Sequence, residues 1–281
     1  MRYGYACICQ SMREYDVRTN RDMNKSTFED DDLSYTQELC ERNLEGLLKV
    51  LQFNVHNDIY VFRISSMPFP WFSEWHIDDL PDPTNLRHMA NLVSRYIDKH
   101  DIRVTMHPGH FVNPASPTQS TVENSLSSLD AHGRFLDCIG RPRSHDAAIN
   151  IHVGGHYGDK QATLNRFEDV YARMPDKVSS RLVVENDDKD SMYSVRDLVH
   201  LDIDIPVTFD YHHHQFHPDG LSERSALYLA ATTWDTRQLT HYSESPNGTP
   251  KHSKRIESYP KNYGVDHDCI IEAKDKELAL L

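Results

Sequence analysis

The sequence predicts an α/β fold, a (β/α)8 barrel with a metal site at the C-terminal ends of its strands. Three observations predict it. Short apolar, β-branched runs alternate with amphipathic helical stretches eight times along the 281 residues. Most of the runs end on a metal-ligating side chain. Val104-Thr105-Met106 leads into His107, Ala148-Ile149-Asn150-Ile151 into His152, and Leu182-Val183-Val184 into Glu185. Ile205-Pro206-Val207-Thr208-Phe209 leads into Asp210, Gln238-Leu239-Thr240 into His241, and Cys269-Ile270-Ile271 into Glu272. Finally, no tandem repeat and no low-complexity tract divides the chain, so residues 1–281 read as a single domain. When eight βα units close on themselves, the loops at the strand C-termini carry the chemistry.

The elements follow in order. Residues 2–9 alternate polar, aromatic and small side chains and form the first strand, with Cys7 and Cys9 on one face. A polar segment, 10–32, precedes a helix over 36–52, whose apolar stripe is at 39, 44, 47, 48 and 51. Residues 58–66 are the second strand, followed by the aromatic loop Pro68-Phe69-Pro70-Trp71-Phe72 and a helix over 85–99. After His107, the stretch Pro108-Gly109-His110-Phe111-Val112-Asn113-Pro114 cannot be helical through two prolines and a glycine. A helix over 120–138 is expected to start in a capping box between Ser120 and Glu123. His152 opens a glycine-rich loop, 153–160, and a helix follows over 161–172. Ser194 caps a short helix reaching His200, and 221–231 is helical. Residues 243–264 form a long polar loop, and 275–281 a last helical stub.

Composition narrows the function classes. No apolar run approaches the ~20 residues of a membrane helix. No secretory signal precedes the first strand. Five scattered cysteines do not suggest a disulfide framework. The expected setting is therefore soluble, reducing and cytoplasmic, or nuclear in a eukaryote. A formal charge of −13 argues against a surface coated in basic DNA-binding groups. Acids gathered in a metal site relieve part of that objection, because each divalent ion returns two positive charges. Local basic patches can outweigh the global sum.

The candidate ligands are His107, His152, Glu185, Asp210, His213, His241, His252 and Glu272. They are too many for one ion, which takes about four to six. Several ions sharing a bridging carboxylate fit better, and such His/carboxylate sites suit phosphodiester hydrolysis. The bland alternative for Asp210-Tyr211-His212-His213-His214 is a His-rich loop. His212, His214 and His217 are read as supporting or structural. His56, His76, His88, His100, His132, His145, His200 and His267 are read as surface residues.

Several motifs resemble those of the UV damage endonuclease family. They are Met106-His107-Pro108-Gly109, Ile151-His152-Val153-Gly154-Gly155 with Tyr157-Gly158-Asp159-Lys160, Val184-Glu185-Asn186-Asp187, and Glu272-Ala273-Lys274-Asp275-Lys276-Glu277. Phe62-Arg63-Ile64-Ser65-Ser66 and Gly4-Tyr5 fit the same pattern. The resemblance implies a TIM barrel related to endonuclease IV; separately, the chain is expected to be a monomer off the membrane. The resemblance also implies up to three divalent ions, manganese by usual assignment, with Zn2+ or Mg2+ the other candidates. It implies duplex DNA carrying UV lesions as substrate, nicked on the 5′ side. By position, Glu185 resembles the carboxylate bridging two ions. Asp210, His241 and Glu272 resemble partners of one ion, His107 and His152 of the second, and His213 and His252 of the third. Tyr5 matches an active-site tyrosine near the lesion, and Lys160 belongs to a loop on the DNA side.

Three positions depart from the pattern. His110-Phe111 stands where the family commonly has Gln-Tyr, the pair that pushes into the duplex opposite the damage. Glu74 aligns with a family histidine, and as a carboxylate still suits a metal. Leu239 aligns with a lysine, whose role is lost here. Trp71 and Phe72 serve either as core or as DNA contacts. Lys251, Lys254 and Arg255 flank His252 and are either a solvated run or a grip on phosphate. Competing readings are an endonuclease IV-like enzyme acting on abasic sites, a xylose-isomerase-like sugar isomerase, and a non-catalytic metal or DNA binder.

Overall fold

A computed structural model describes residues 1–281. Eight strands of three to five residues run Arg2–Ala6 (β1), Val61–Ile64 (β2), Arg103–Met106 (β3), Ile149–Ile151 (β4), Leu182–Glu185 (β5), Val207–Asp210 (β6), Gln238–Tyr242 (β7) and His267–Ile271 (β8). They pair in parallel in chain order, and β8 closes on β1. The expected (β/α)8 barrel is the fold.

The period of two along each strand builds the layers. Ala6, Val61, Ala148, Val183, Leu239 and Ile270 point inward and form their own apolar cluster. Alternate residues such as Tyr5, Phe62, Ile64, Val104, Ile149, Val184 and Phe209 point outward into the main core. Below the inner cluster, buried Asp268 pairs with Arg103 at 3.3 Å and Arg2 at 2.8 Å. That pairing offsets the cost of a charge at the N-terminal end of the barrel.

The helices are Gln10–Arg13 (α1), Lys25–Glu29 (α2), Ser34–His56 (α3), Pro83–His100 (α4), Gln119–Cys138 (α5), Lys160–Tyr171 (α6), Asp176–Ser179 (α7), Val195–Leu198 (α8), Tyr211–Phe216 (α9) and Glu223–Ala231 (α10). α3 buries Leu39, Cys40, Leu44, Leu47, Val50 and Leu51, a stripe at helical spacing. α4 does the same with Leu86, Ala90, Val93 and Ile97, after an Asp82 cap and Pro83 in its first turn. Among the described residues, no helix is long and apolar enough to cross a membrane.

Several expectations need correction. The first strand ends at Ala6, Cys7 turns to φ 68, and Cys9 is the N-cap of α1, so the two cysteines share no strand face. α5 starts from Thr118 without a side-chain cap. No box forms from Ser120, because Glu123 instead accepts from Gln119 at 2.9 Å. Ser194 does cap α8, with Asp197 completing the box. The segment 10–32 contains α1 and α2, and the final stub is a 3₁₀ turn, Lys276–Ala279. His132 and His267, read as surface residues, are buried; His132 Nδ1 donates to Ser128 O at 2.7 Å.

Candidate metal centre

Glu185 ends β5 and is 1% exposed inside the barrel mouth. Its Oε2 lies 3.3 Å from His107 Nε2, 3.1 Å from His241 Nδ1 and 3.9 Å from His152 Nε2. Its Oε1 lies 3.4 Å from His213 Nδ1. Asn150, pointing inward from β4, donates its side-chain amide to Glu185. Two ligand groups therefore share this carboxylate: His107, His152 and Glu185, and Glu185, Asp210 and His241, each with ligand atoms within 4.8 Å of one another. Glu272 extends the second group, 3.5 Å from His241 Nδ1 and 3.7 Å from His252 Nδ1.

Tautomers are fixed from outside the centre. His107 Nδ1 donates to Pro108 O at 3.0 Å, His213 Nδ1 to Asn186 O at 2.8 Å, and His252 Nδ1 to Glu272 O at 2.8 Å. His152 Nδ1 lies 3.1 Å from Asp187 Oδ1. In the first three rings the hydrogen bond leaves Nε2 as the ligand atom, and His152 turns its Nε2 toward Glu185. At His241 both ring nitrogens are buried without a hydrogen bond, the approach to Glu185 being a charge contact only, and His152 Nδ1 and Asp210 Oδ2 are likewise unpartnered. Each such orphan costs about 1–3 kcal/mol unless something satisfies it. A divalent cation would engage Asp210 Oδ2 and a His241 nitrogen together, so the residues fit the metal that the donor set calls for.

The charges are strongly coupled. Burial works against ionised Glu185, yet His241 and His152 hold it well below the usual carboxylate range. Burial also opposes ionised Glu272, which the Arg63 guanidinium beside it keeps low. Burial pushes the Asp210 carboxyl up and the His107 imidazole down. His152 and His213 also resist charging through burial, but Glu185 with Asp187, and Asp210 with Glu185, raise them to about 10 and about 9.

The structure thus gathers His107, His152, Glu185, Asp210, His213, His241, His252 and Glu272 at one mouth. It does not bring Glu74 there. Glu74 is exposed, and its side chain accepts only from Ser73 at 3.0 Å. Tyr5 is a correction too: it faces the helix layer, fully buried, with its hydroxyl donating to Asn54 at 2.8 Å. The parity of β1 explains this, since Ala6 occupies the inner face. Lys160 opens α6 and pairs with Asp197 at 3.2 Å, outside the ligand cluster. Trp71, half-buried, donates to Met23 O at 3.1 Å and stacks on Phe28. Phe72 is core, with Arg134 over its ring at 4.2 Å. His110, Phe111, Lys254 and Arg255 are exposed, Arg255 lying 3.4 Å from Asp275.

Sequence reasoning missed Arg63, Asn150, Asn186 and Asp187. For Arg63 and Asn150 a signal was present: each is a polar residue inside an apolar strand run, on the inward parity. Asn186 receives Asp210 N–H at 2.9 Å and offers its carbonyl to His213. A cavity of about 250 Å³ opens beside the ligands, lined in part by His107, Gly109, His110, His152, Gly155 and Asp187. A larger one, about 810 Å³, lies between Tyr211, Glu223, Glu244 and Arg255, and none of the ligands lines it. Donor geometry, not volume, locates the centre.

Residues 1–281 match the family model described as UV-endonuclease UvdE. The chain belongs to the UvdE family. It is 33% identical, over 99% of its length, to the UV-damage endonuclease of Schizosaccharomyces pombe, and spans 49% of that protein. The crystal structure of SacUVDE superposes with a TM-score of 0.87 at 30% identity, covering 99% of this chain and 95% of that one. Endonuclease IV from Thermus thermophilus superposes at 0.59 with 13% identity, covering 97% of this chain and 92% of that one, a likeness of fold alone. The UvdE relation accounts for the ordered motifs at the strand ends.

Proposed function

We propose that this UvdE-family chain is a metal-dependent DNA repair endonuclease that nicks duplex DNA 5′ of UV photolesions. Cyclobutane dimers and 6-4 products are the expected lesions, with abasic sites as further substrates. Manganese is the favoured ion, in up to three positions, and the enzyme works as an intracellular monomer. The observation that carries the reading is the sharing of Glu185 between two ligand groups, in a chain matched end to end by this family. Bound divalent ions supply an acidified water and neutralise the charge on the phosphate and the leaving oxygen.

The protein's own groups set up that chemistry. Glu185 is kept ionised by the histidines around it, with Oε2 facing His107 and His241 and Oε1 facing His213. Arg63 fixes one oxygen of Glu272 and leaves the other toward His252. Asp187, Asn186 and the Pro108 carbonyl aim the imidazoles inward. Around this centre His110 and Phe111 probe the duplex, while Lys160, Lys254 and Arg255 meet the backbone. The probe selects damage because a distorted pair costs less to unstack than an intact one.

The test is a labelled duplex carrying a cyclobutane dimer, a 6-4 product or an abasic site, incubated with metal-stripped protein and with protein reloaded with Mn2+. A single nick 5′ of the photolesion, restored by Mn2+, is expected. Cleavage of the abasic duplex alone would favour the endonuclease IV-like reading. No cleavage of any duplex with metal present would refute the proposal.

A further inference from the structure

Two exposed rings lie against glycines that line the cavity beside His107 and His152, and the proposed function uses only one. Phe111 is 62% exposed and Tyr157 45%. Each folds back over a glycine two residues before it. A Cβ on Gly109 would meet the Phe111 ring at 2.4 Å, and one on Gly155 the Tyr157 ring at 3.3 Å. Both glycines line the 250 Å³ cavity together with the two histidines.

Tyr157 is held in place although it is exposed. Its φ of 48 is a left-handed conformation that disfavours any residue with a side chain. Its hydroxyl accepts from the Asn113 amide, in the loop that carries Phe111. The Arg166 guanidinium lies 5.7 Å from the ring centroid, and its Nε donates to Ala115 O at 3.1 Å. Gly154, at φ 111, lets the loops touch, since a Cβ there would come within 2.2 Å of Asn113 Oδ1. The probe loop and the glycine-rich loop are therefore braced together, and the ring loses its freedom before any partner arrives. An immobilised, solvent-facing aromatic ring is suited to stacking, because its ordering cost is met in the free protein.

We infer that Tyr157 is a specificity-determining, base-stacking residue that forms the second aromatic lip of this cavity, opposite Phe111, and stacks on a nucleobase displaced at a lesion. The inference rests on the repair-endonuclease reading above. It extends that reading to a second loop and a second ring. Every base offers a π-face, so a stacking lip serves chemically different lesions without a separate hydrogen-bond code.

The test compares Tyr157→Phe, which keeps the ring and loses the hydroxyl, with Tyr157→Leu, which loses both. The probe is a duplex with 2-aminopurine beside a cyclobutane dimer and an uncleavable methylphosphonate at the scissile position, bound by metal-loaded protein. Wild type and Tyr157→Phe should quench the 2-aminopurine and prefer the damaged duplex. Tyr157→Leu should lose the quenching and about tenfold of the preference, the scale of one base–aromatic stack, with unchanged metal content. Retained quenching and preference in Tyr157→Leu would overturn the inference, as would equal losses in both variants or loss of metal from Tyr157→Leu. A wild-type protein that neither prefers nor nicks photolesion DNA would overturn the functional reading and this inference together.

Discussion

Asp187 Oδ1 lies 3.1 Å from His152 Nδ1, while the opposite edge of that ring faces Glu185. The carboxylate orients the ring and raises its basicity as a ligand. Asp187→Ala should therefore weaken metal binding about 10–100-fold without unfolding the barrel. Titration calorimetry of the metal-stripped variant with Mn2+ checks this. Wild-type affinity would mean that the ring is oriented by other contacts.

Metal binding should release protons. His152 and His213 are raised to about 10 and about 9, so both carry a proton in the metal-free protein at pH 7.5. A ligating imidazole must be neutral, so loading the centre displaces roughly two protons, and affinity rises with pH up to those values. Calorimetry in buffers of different ionisation enthalpy counts them. A binding heat independent of buffer would contradict the charge arrangement.

His132 makes a separate prediction for stability. Burial lowers it to about 4, against an ordinary value of 6.5, so the folded state prefers it neutral. Between those values the unfolded chain binds a proton that the folded chain refuses. Stability attributable to this group is therefore intact above pH 6.5 and falls as pH drops toward 4, by roughly 3 kcal/mol at the limit. Urea denaturation in EDTA should show a shallower acid slope in His132→Gln than in wild type. Parallel curves would rule out His132 as the source.

The probe assignment predicts an asymmetric defect. Replacing His110 and Phe111 together by Ala should weaken binding to photolesion duplex far more than to undamaged DNA, by about 1–3 kcal/mol per lost stack, and leave metal content unchanged. Binding to both should remain salt-dependent, with a slope near −0.9 in log K per phosphate contact, despite the acidic total charge. Equal losses on both duplexes would make the loop structural, and an affinity flat in salt would remove the phosphate-gripping face.

What the sequence conveyed depended on strand parity. The strand-end ligands were legible because an apolar run that stops on His, Asp or Glu exposes that side chain at the barrel mouth. Parity also explains the errors. Tyr5 directly precedes inward-facing Ala6, so it faces the helices, where resemblance alone had placed it near the lesion. Leu239 obeys parity and fills the apolar layer one step below His241. Glu74 sits beyond a chain reversal at Trp71, whose φ of 53 no periodicity signals. The His cluster after Asp210 is helix α9, capped by the Asp210 side chain accepting from His213 N–H at 2.7 Å. Asp210 was legible as a ligand, and its second role as a cap was hidden by the first. Contacts such as Asp187 with His152 join loops of different strands, which local sequence does not encode.

The bridging role of Glu185 is tested most directly by metal counting in Glu185→Gln. A neutral amide cannot hold two cations on one side chain, so the purified variant should keep the fold, lose at least one ion per chain on elemental analysis, and fail to nick a cyclobutane-dimer duplex. A variant that retains the wild-type metal count and nicks at the wild-type rate would contradict a centre built around Glu185.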